Sequence, residues 1–185
     1  MTPSNAVSPV AEPPRGLARR LARWRVPFGF VAAPVALALA RPTWKSVAAG
    51  GAIMAAGELV RVWAAGHLEK GREVTRSGPY RFFAHPLYLG SAVIAAGLAV
   101  AASSWWVTPL VTAYVLVAFT SAIRSEEAEL RAAFGDQYVA YRERRASPMV
   151  RPFSLARAWR NREYRAIGGV MAAWGLLALR ALFGL

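Results

Sequence analysis

The chain has 185 residues, of which 56% are hydrophobic and 18% charged, a composition typical of membrane proteins. Its net charge of +13 comes from arginines clustered between apolar runs, without the interleaved aromatic residues of a single-strand nucleic-acid binder. The sequence has no cysteine, which excludes disulfides, thiolate metal sites and cysteine nucleophiles. With two histidines and one aspartate, a dedicated transition-metal centre is not expected either.

The first 25 residues are predicted to be a disordered leader that becomes basic towards its end. Residues 1–14 are rich in proline, serine and alanine, and five arginines follow before residue 26. The apolar run after them fits a signal peptide cleaved after Ala40, or a first membrane helix over about 26–44 that Pro34 interrupts. The membrane helix is the favoured interpretation, and the arginines would then hold its start in the cytoplasm.

Further apolar runs predict four more membrane helices. They cover about residues 46–66, 87–102, 105–123 and 166–185. Only Ser103 and Ser104 separate the third helix from the fourth, which predicts an antiparallel hairpin. The first two helices are short enough to pack instead as a re-entrant pair. The fold class is therefore all-α, a multi-pass integral membrane protein with about five transmembrane helices and a cytoplasmic helical segment.

Arginine is concentrated in alternate connections between these helices. The loop 67–86 and the polar segment 124–165 fall on the same side if the helices cross in turn, and the positive-inside rule makes that side cytoplasmic. We therefore expect a protein of the bacterial inner membrane whose active site faces the cytoplasm. Its predicted parts are the leader, then N-terminal membrane helices over 26–66, a core over 67–152, and a linker with the last helix over 153–185.

Two ionisable residues, Glu58 and Arg61, lie inside the second apolar run. Their spacing places them on one face of a helix. Ionisable residues at membrane depth usually face a partner or a polar cavity. A local ion pair between the two is the favoured interpretation, and a pair that faces a substrate is the alternative.

The segment SGPYRFFAHPLYLG, residues 77–90, combines a polar turn with aromatic residues and a His-Pro step. Pro86 disfavours helical geometry at the residue before it and favours a helix start at itself, so His85 is predicted to be the N-cap. Unpaired backbone N–H groups and the helix dipole meet there beside Tyr80 and Arg81. This arrangement suits a carboxylate or phosphate, although an interfacial aromatic belt explains the segment equally well.

The second polar motif is RSEEAELRAAFGDQYVAYRERR, residues 124–145, which continues the fourth apolar helix. Glu126 and Glu127 lie at its membrane end. Adjacent helical residues point about 100° apart, so only one of the two can face a given pocket squarely. Taken alone, the motif favours a solvated surface in which Glu127 pairs with Arg131.

Gly135 in this motif favours the end of a helix, and Asp136 suits the cap of a following one. That second helix carries Tyr138 and Tyr141. The motif is therefore predicted to form a helix–turn–helix.

Together, the two motifs and the hairpin between them resemble the integral-membrane methyltransferases of the isoprenylcysteine carboxyl methyltransferase and phospholipid methyltransferase group. The matching stretches are TRSGPYRFFAHPLYLG at 75–90 and EEAELRAAFGDQYVAYRERR at 126–145, with a looser match, LVRVWAAGHL, at 59–68. The resemblance covers roughly 57–152. It implies S-adenosylmethionine-dependent methylation of a lipophilic acceptor, at a carboxyl or amine head group, in a multi-helix membrane fold.

The resemblance also implies a cofactor site at the cytoplasmic face, between the His-Pro segment and the Glu-Glu helix. Carried over position by position, the cofactor-binding residues are His85, Pro86, Tyr88, Leu89, Gly90, Glu126 and Glu127. Tyr80 and Arg81 join them because they flank the predicted anion site. Family members commonly have arginine before the His-Pro step, where this chain has Ala84. Any anion contact from that arginine must then come from a neighbour such as Arg81.

The chemistry of S-adenosylmethionine agrees with these residues. It is a sulfonium with a carboxylate and an ammonium group, so it needs an anion site and a nearby carboxylate. Its methyl group is already activated, and transfer can rest on alignment and exclusion of water. A carboxylate acceptor needs no base. An amine acceptor must first lose a proton, to a glutamate or to His85, and the sequence assigns no catalytic residue.

Two other classes of protein fit part of the pattern. A small transporter or channel explains Glu58 and Arg61, but not the paired Glu-Glu and Tyr-x-x-Tyr arrangement. A noncatalytic membrane scaffold tolerates both motifs. The expected partners are a lipophilic substrate from the bilayer and membrane lipids, with no nucleic acid and no metal.

Overall fold

The computed structural model of the chain describes residues 31–184, and this part contains helices and loops but no strand. The predicted leader over 1–25 and the start of the first predicted helix lie outside the described residues. Over the described part, the all-α prediction is confirmed.

The helices are α1 over residues 31–39, α2 Trp44–Ala65, a 3-10 helix Gly78–Arg81, α3 Pro86–Ala102, α4 Val107–Arg142, α5 Leu155–Arg160 and α6 Glu163–Phe183. In this part of the chain, α2, α4 and α6 are the three that are long and apolar enough to cross a membrane. Helix α3 is apolar but has 17 residues. By length and composition, membrane spans are thus supported for three of the predicted helices.

The first predicted helix ends earlier than expected. Helical geometry stops after residue 39, and the expected interruption at Pro34 does not occur, because Pro34 lies within α1. Thr43 then caps α2: its side chain accepts a hydrogen bond from the Ser46 backbone N–H, and the Ser46 hydroxyl oxygen accepts one from the Thr43 N–H. This reciprocal cap makes Trp44 the first residue of α2 rather than the last residue of α1.

Helices α2 and α3 pack closely through glycines. A methyl group on Gly57 would lie 2.7 Å from the Gly90 carbonyl oxygen, and one on Gly97 would lie 2.7 Å from the Gly50 carbonyl oxygen. Small residues let helix backbones approach in this way. Because the earlier glycine of α2 faces the later glycine of α3, the two helices are antiparallel.

The link from α3 to α4 forms the predicted hairpin. Ser103 adopts left-handed geometry with φ 48°, and its N–H donates to carbonyls of the last turn of α3. Helix α4 packs against α3 and starts at Val107 rather than at the expected Trp105. Trp105 and Trp106 are instead exposed in the link, as tryptophans are at a membrane interface.

The chain of α4 reverses direction at Gly135, whose φ is 48°. The Arg142 guanidinium lies 3.1 Å from the Glu127 carboxylate. In a straight helix, these residues, 15 positions apart in the sequence, would be separated by about 22 Å along the axis, beyond the reach of their side chains. The contact therefore requires a turn between two helical arms, which confirms the predicted helix–turn–helix.

Helix α6 packs against α2 and α3. The Trp174 indole N–H donates to the Val47 carbonyl over 3.1 Å, and Arg180 donates to the Ala40 carbonyl over 3.0 Å. The buried apolar residues that these helices share are Ala40, Val47, Met54, Ala101, Ala102, Val107 and Leu177. The antiparallel order brings the ends of α1 and α6 together at the end of the helices that carries Ser103.

The arginine-rich segments meet at the other end, hereafter the polar end. Arg157 donates to Glu69 over 2.8 Å and Arg151 donates to Glu73 over 2.8 Å. The hydrogen bond from Arg157 holds the pKa of the Glu69 carboxyl below its usual value. The Asn161 amide donates to the Ala65 carbonyl and so caps α2. As predicted, the loop after α2 and the polar segment after α4 lie at the same end.

Candidate cofactor site

The His-Pro step starts α3 in the predicted way. Pro86 is the first helical residue, and His85 before it has the non-helical φ of −133° and ψ of 63°. The imidazole makes no capping hydrogen bond to the helix. It points instead to the Glu-Glu helix, where Nε2 lies 3.2 Å from the Glu127 carboxylate. The N-cap prediction is confirmed, and the cap residue joins the two polar motifs.

Glu127 is the centre of the polar contacts on α4. Its carboxylate lies 3.2 Å from His85, 3.1 Å from Arg142 and 4.0 Å from Arg131. The Glu127 side chain is 20% exposed, whereas that of Glu126 is 44% exposed and lies 4.0 Å from the other imidazole nitrogen. One glutamate therefore faces the histidine directly, as the 100° offset predicts. The predicted pair with Arg131 exists, but it is the longest of the contacts.

A cavity of about 410 Å³ lies beside this cluster. Its volume falls in the usual range for small-molecule sites. Its polar walls come from Arg81, His85, Arg142 and Arg144. Its other walls come from Tyr80, Phe82, Phe83, Ala84, Leu89 and Tyr141. The cavity thus combines positive charge and aromatic surface with a carboxylate cluster at its edge.

Tyr141 ties the second arm of α4 to the His-Pro segment. Its hydroxyl donates to the Tyr80 carbonyl over 2.9 Å and to the Phe83 carbonyl over 3.3 Å. The Tyr80 side chain is buried, and burial raises the pKa of its hydroxyl, so this group stays neutral near pH 7. The bridge holds one wall of the cavity in place.

The structure brings most of the predicted site residues to this cavity. Those that line it or contact its histidine are Tyr80, Arg81, His85, Tyr88, Leu89, Glu126 and Glu127. Pro86 is buried at the start of α3. The Tyr88 ring packs between His85 and Phe119, at centroid distances of 6.0 and 5.4 Å. Gly90 lies elsewhere, at the contact with Gly57 of α2.

Other lining residues were absent from the sequence prediction of the site. They are Phe82, Phe83, Ala84, Tyr141, Arg142 and Arg144. The Tyr-x-x-Tyr pattern indicated Tyr141, and both arginines lie in the quoted second motif. Which way the chain turns at Gly135 is a tertiary feature, so the sequence did not indicate that this arm folds back onto the His-Pro segment.

The expected local ion pair inside α2 is wrong. Arg61 Nε donates to the Glu163 carboxylate over 2.7 Å, and Arg61 Nη1 donates to the Ser91 hydroxyl. Tertiary structure decides the pairing, because Glu163, the first residue of α6, lies beside the last turns of α2. Both carboxylate oxygens of Glu58 are buried and receive no hydrogen bond.

The described residues thus form an all-helical protein with three candidate membrane spans and a small-molecule cavity at the polar end. The sequence model of the phospholipid methyltransferase family matches residues 46–137, about half of the chain. Over these residues the chain belongs to the phospholipid methyltransferase family, as the resemblance indicated. Family and apolar helices together indicate a membrane methyltransferase. No curated protein and no solved structure matches the chain.

Proposed function

We propose that this protein transfers the methyl group of S-adenosylmethionine to a lipophilic acceptor, at the cytoplasmic face of the bacterial inner membrane. The observation that carries the proposal is that Glu127 contacts both His85 and Arg142 beside the 410 Å³ cavity. His85 and Glu127 are 42 residues apart in the sequence and belong to the two motifs that resemble the family. Family membership supports the methyltransferase class.

The residues around the cavity fit the charges of this cofactor. Arg81 and Arg144 supply positive charge for its carboxylate, and Glu126 and Glu127 supply negative charge for its ammonium group. Aromatic rings, among them that of Phe82, offer faces that attract a sulfonium cation. When bound, S-adenosylmethionine supplies an already activated methyl group.

Ala84 lines the same cavity as the arginines, so the missing family arginine has candidate replacements. Arg81, Arg142 and Arg144 all line it. Arg142 is already paired with Glu127, which leaves Arg81 and Arg144 as the better candidates for an anion. An arginine at another position of the cavity can thus take the place of the family arginine, which is consistent with an unchanged cofactor.

The proposed catalytic contribution of the chain is alignment and exclusion of water. The Tyr141 bridge to Tyr80 holds the cavity wall, and Glu127 orients the His85 imidazole. For a carboxylate acceptor, these roles are sufficient. For an amine acceptor, His85 can also take the proton that the amine loses, because Glu127 would stabilise the imidazolium that forms.

A lipophilic acceptor fits the position of the cavity. Leu89, which lines it, belongs to the first turn of α3 and is 37% exposed, so the cavity lies where apolar helices begin. An apolar tail contributes about 0.8 kcal/mol per buried methylene, which holds a substrate while its head group is aligned. The acceptor is therefore proposed to reach the site from the bilayer.

The test is saturable binding of S-adenosylmethionine to the purified, detergent-solubilised protein. Its absence in folded protein would contradict the proposal and leave the transporter and scaffold alternatives. Next, the protein is incubated with a radiolabelled methyl donor and a membrane lipid extract, and organic and aqueous products are separated. Label confined to water-soluble products would refute the lipophilic acceptor while leaving the methyltransferase assignment intact.

A further inference from the structure

A second cavity, of about 570 Å³, lies between α2, α3, α4 and α6. Hereafter it is the membrane cavity. Its walls are largely apolar, with Ile94, Leu98 and Val170 among them, and Arg61 and Ser91 supply polar groups. Three of the four helices are those long and apolar enough to cross a membrane. This cavity is distinct from the candidate cofactor site, with which it shares no lining residue.

The membrane cavity reaches the lateral surface of the protein. Two of its lining residues, Tyr114 on α4 and Gly169 on α6, are exposed. In the apolar window of α6, 6% of the residues are fully buried, so part of the surface of this helix is available to lipid. An apolar chain from the bilayer can therefore enter between the helices. Water is disfavoured there because the apolar walls offer it few hydrogen-bond partners.

The Arg61 guanidinium makes most of its hydrogen bonds to other groups of the protein. Arg61 Nε donates to Glu163, and its Nη1 donates to Ser91 and to the Leu87 carbonyl. Glu163 is 5% exposed, so this ion pair is withdrawn from water. Arg61 therefore forms a fixed, neutralised end to the membrane cavity rather than a free anion site.

At this end of the membrane cavity, Glu58 receives no hydrogen bond from a donor of the described residues. It lies between Met54 and Arg61 on one helix face, and both of these residues line the membrane cavity. Both carboxylate oxygens of Glu58 are buried and receive no hydrogen bond. Burying an acceptor without a donor is unfavourable. The Glu163 carboxylate lies beside Glu58 and accepts the hydrogen bond from Arg61 Nε, so the two buried carboxyl groups need a proton or a donor from a ligand between them.

Tyr80 connects this end to the candidate cofactor site. The 3-10 helix that carries Tyr80 packs against α2, and Tyr80 lines the 410 Å³ cavity. Along α3, Leu89 lines the 410 Å³ cavity, and Ser91, two residues later, lines the membrane cavity. A head group beside Glu58 would thus lie next to the cofactor cavity.

We infer that the membrane cavity binds the apolar chain of the acceptor and that Glu58 accepts a hydrogen bond from its head group. The ligand class is an amphiphile with an apolar chain, whose head group carries a donor, either a hydroxyl or an ammonium. The inference rests on the proposed function, because it locates the lipophilic acceptor of that reaction.

The test uses the full chain in detergent and three photoreactive alkyl probes of equal length. One ends in an ammonium group, one in a hydroxyl, and one in a methyl ether, which accepts but does not donate. Labelling against probe concentration gives the affinity of each. We expect the ammonium or the hydroxyl probe to bind roughly tenfold more tightly than the ether, and the better of the two identifies the donor.

Two adjacent glycines of α6 provide a matched pair of variants. A Cβ on Gly169 or on Gly168 would meet nothing within 4 Å, but only Gly169 lines the membrane cavity. Gly169→Leu should weaken all three probes, about fourfold for each methylene displaced, while Gly168→Leu leaves them unchanged. If Gly169→Leu does not fold, Ala173→Leu on the same helix face replaces it.

Glu58→Met, which removes the acceptor at nearly constant side-chain length, tests the head-group contact. It should reduce the advantage of the donor probe over the ether probe roughly tenfold, whereas Glu143→Met, at an exposed site, should not. Equal effects of the two glycine variants, or equal binding of all probes to the unmodified chain, would overturn the inference. Binding of S-adenosylmethionine is measured in every variant. If the unmodified chain does not bind S-adenosylmethionine, the proposed function is refuted. If it binds S-adenosylmethionine but the variants bind the probes as the unmodified chain does, only this inference is refuted.

Discussion

Gly57 of α2 and Gly90 of α3 lie so close that a methyl group on either would stand 2.7 Å from the carbonyl oxygen of the other. This approach places Arg61, one turn after Gly57, next to Ser91. The resemblance assigns Gly90 to the cofactor, but its contact in the structure is with α2. The absence of a side chain at Gly90 is therefore explained by helix packing.

Gly57→Ala is expected to destabilise the protein by about 1–3 kcal/mol, because the added methyl overpacks a contact made of backbone. The measurement is unfolding of the purified protein in detergent. Gly168→Ala is the matched control, because a Cβ there meets nothing within 4 Å. Equal stability of the two variants would show that the close approach of α2 and α3 is not needed.

Features that depend on neighbouring residues could be predicted from the sequence. Pro86 determines the helix start and makes His85 the N-cap, because proline restricts the residue before it. Gly135 provides the turn in α4, because glycine tolerates a positive φ at little cost. The pairing of the two motifs followed from family resemblance, and their contact in the structure agrees with it.

Features that depend on distant residues could not be predicted in this way. Arg61 pairs with Glu163, 102 positions away, and no local pattern selects it over Glu58, three positions away. Likewise, Arg142 faces Glu127 because of the direction of the turn between them. Hydrophobic periodicity indicates which residues are helical, but not which helix ends come together.

Glu163→Ala should destabilise the protein by about 2 kcal/mol or more, because it leaves the Arg61 guanidinium without its buried partner. The Arg61 and Glu163 side chains are 20% and 6% exposed. Thermal unfolding in detergent measures the effect. Glu143→Ala, which removes an exposed pair with Arg145, should change little.

The double variant Arg61→Met with Glu163→Leu completes this experiment. Removing both charges avoids the uncompensated guanidinium, so the double variant should be more stable than Glu163→Ala alone. If the double variant is less stable than Glu163→Ala, Arg61 stabilises the protein through its hydrogen bonds to Ser91 and to the Leu87 carbonyl. If Glu163→Ala unfolds like the unmodified protein, the ion pair does not form in solution.

Glu127→Gln and His85→Ala should each weaken binding of S-adenosylmethionine, by roughly tenfold, in a protein that stays folded and inserted in the membrane. The carboxylate of Glu127 faces both His85 and Arg142, so its loss removes charge and orientation together. Isothermal titration calorimetry provides the affinities. Unchanged affinity in both variants and in Glu126→Gln would refute this placement of the cofactor.

Tyr141→Phe should weaken cofactor binding about fivefold, the usual contribution of one neutral hydrogen bond. The variant removes the single hydroxyl proton that the Tyr80 and Phe83 carbonyls share, so the cavity wall is held less firmly. Tyr164→Phe is the control, because Tyr164 stacks on Trp159 away from the cavity. A loss that is equal in both variants would indicate a general effect on stability.

A topology reporter fused after Arg145 should be cytoplasmic, and one inserted between Ser103 and Ser104 should lie on the opposite side of the membrane. Arginine is concentrated at the polar end of the helices, which the positive-inside rule places in the cytoplasm. The structure adds that the polar end also holds the candidate cofactor site, where a soluble cofactor must enter from the aqueous phase. The hairpin link with Ser103 lies at the other end of α3 and α4. Accessibility of each reporter in intact cells measures its side, with the total signal after lysis as the control for expression. If both reporters lie on the same side, α4 does not cross the membrane and the proposed entry of acceptor from the bilayer fails with it.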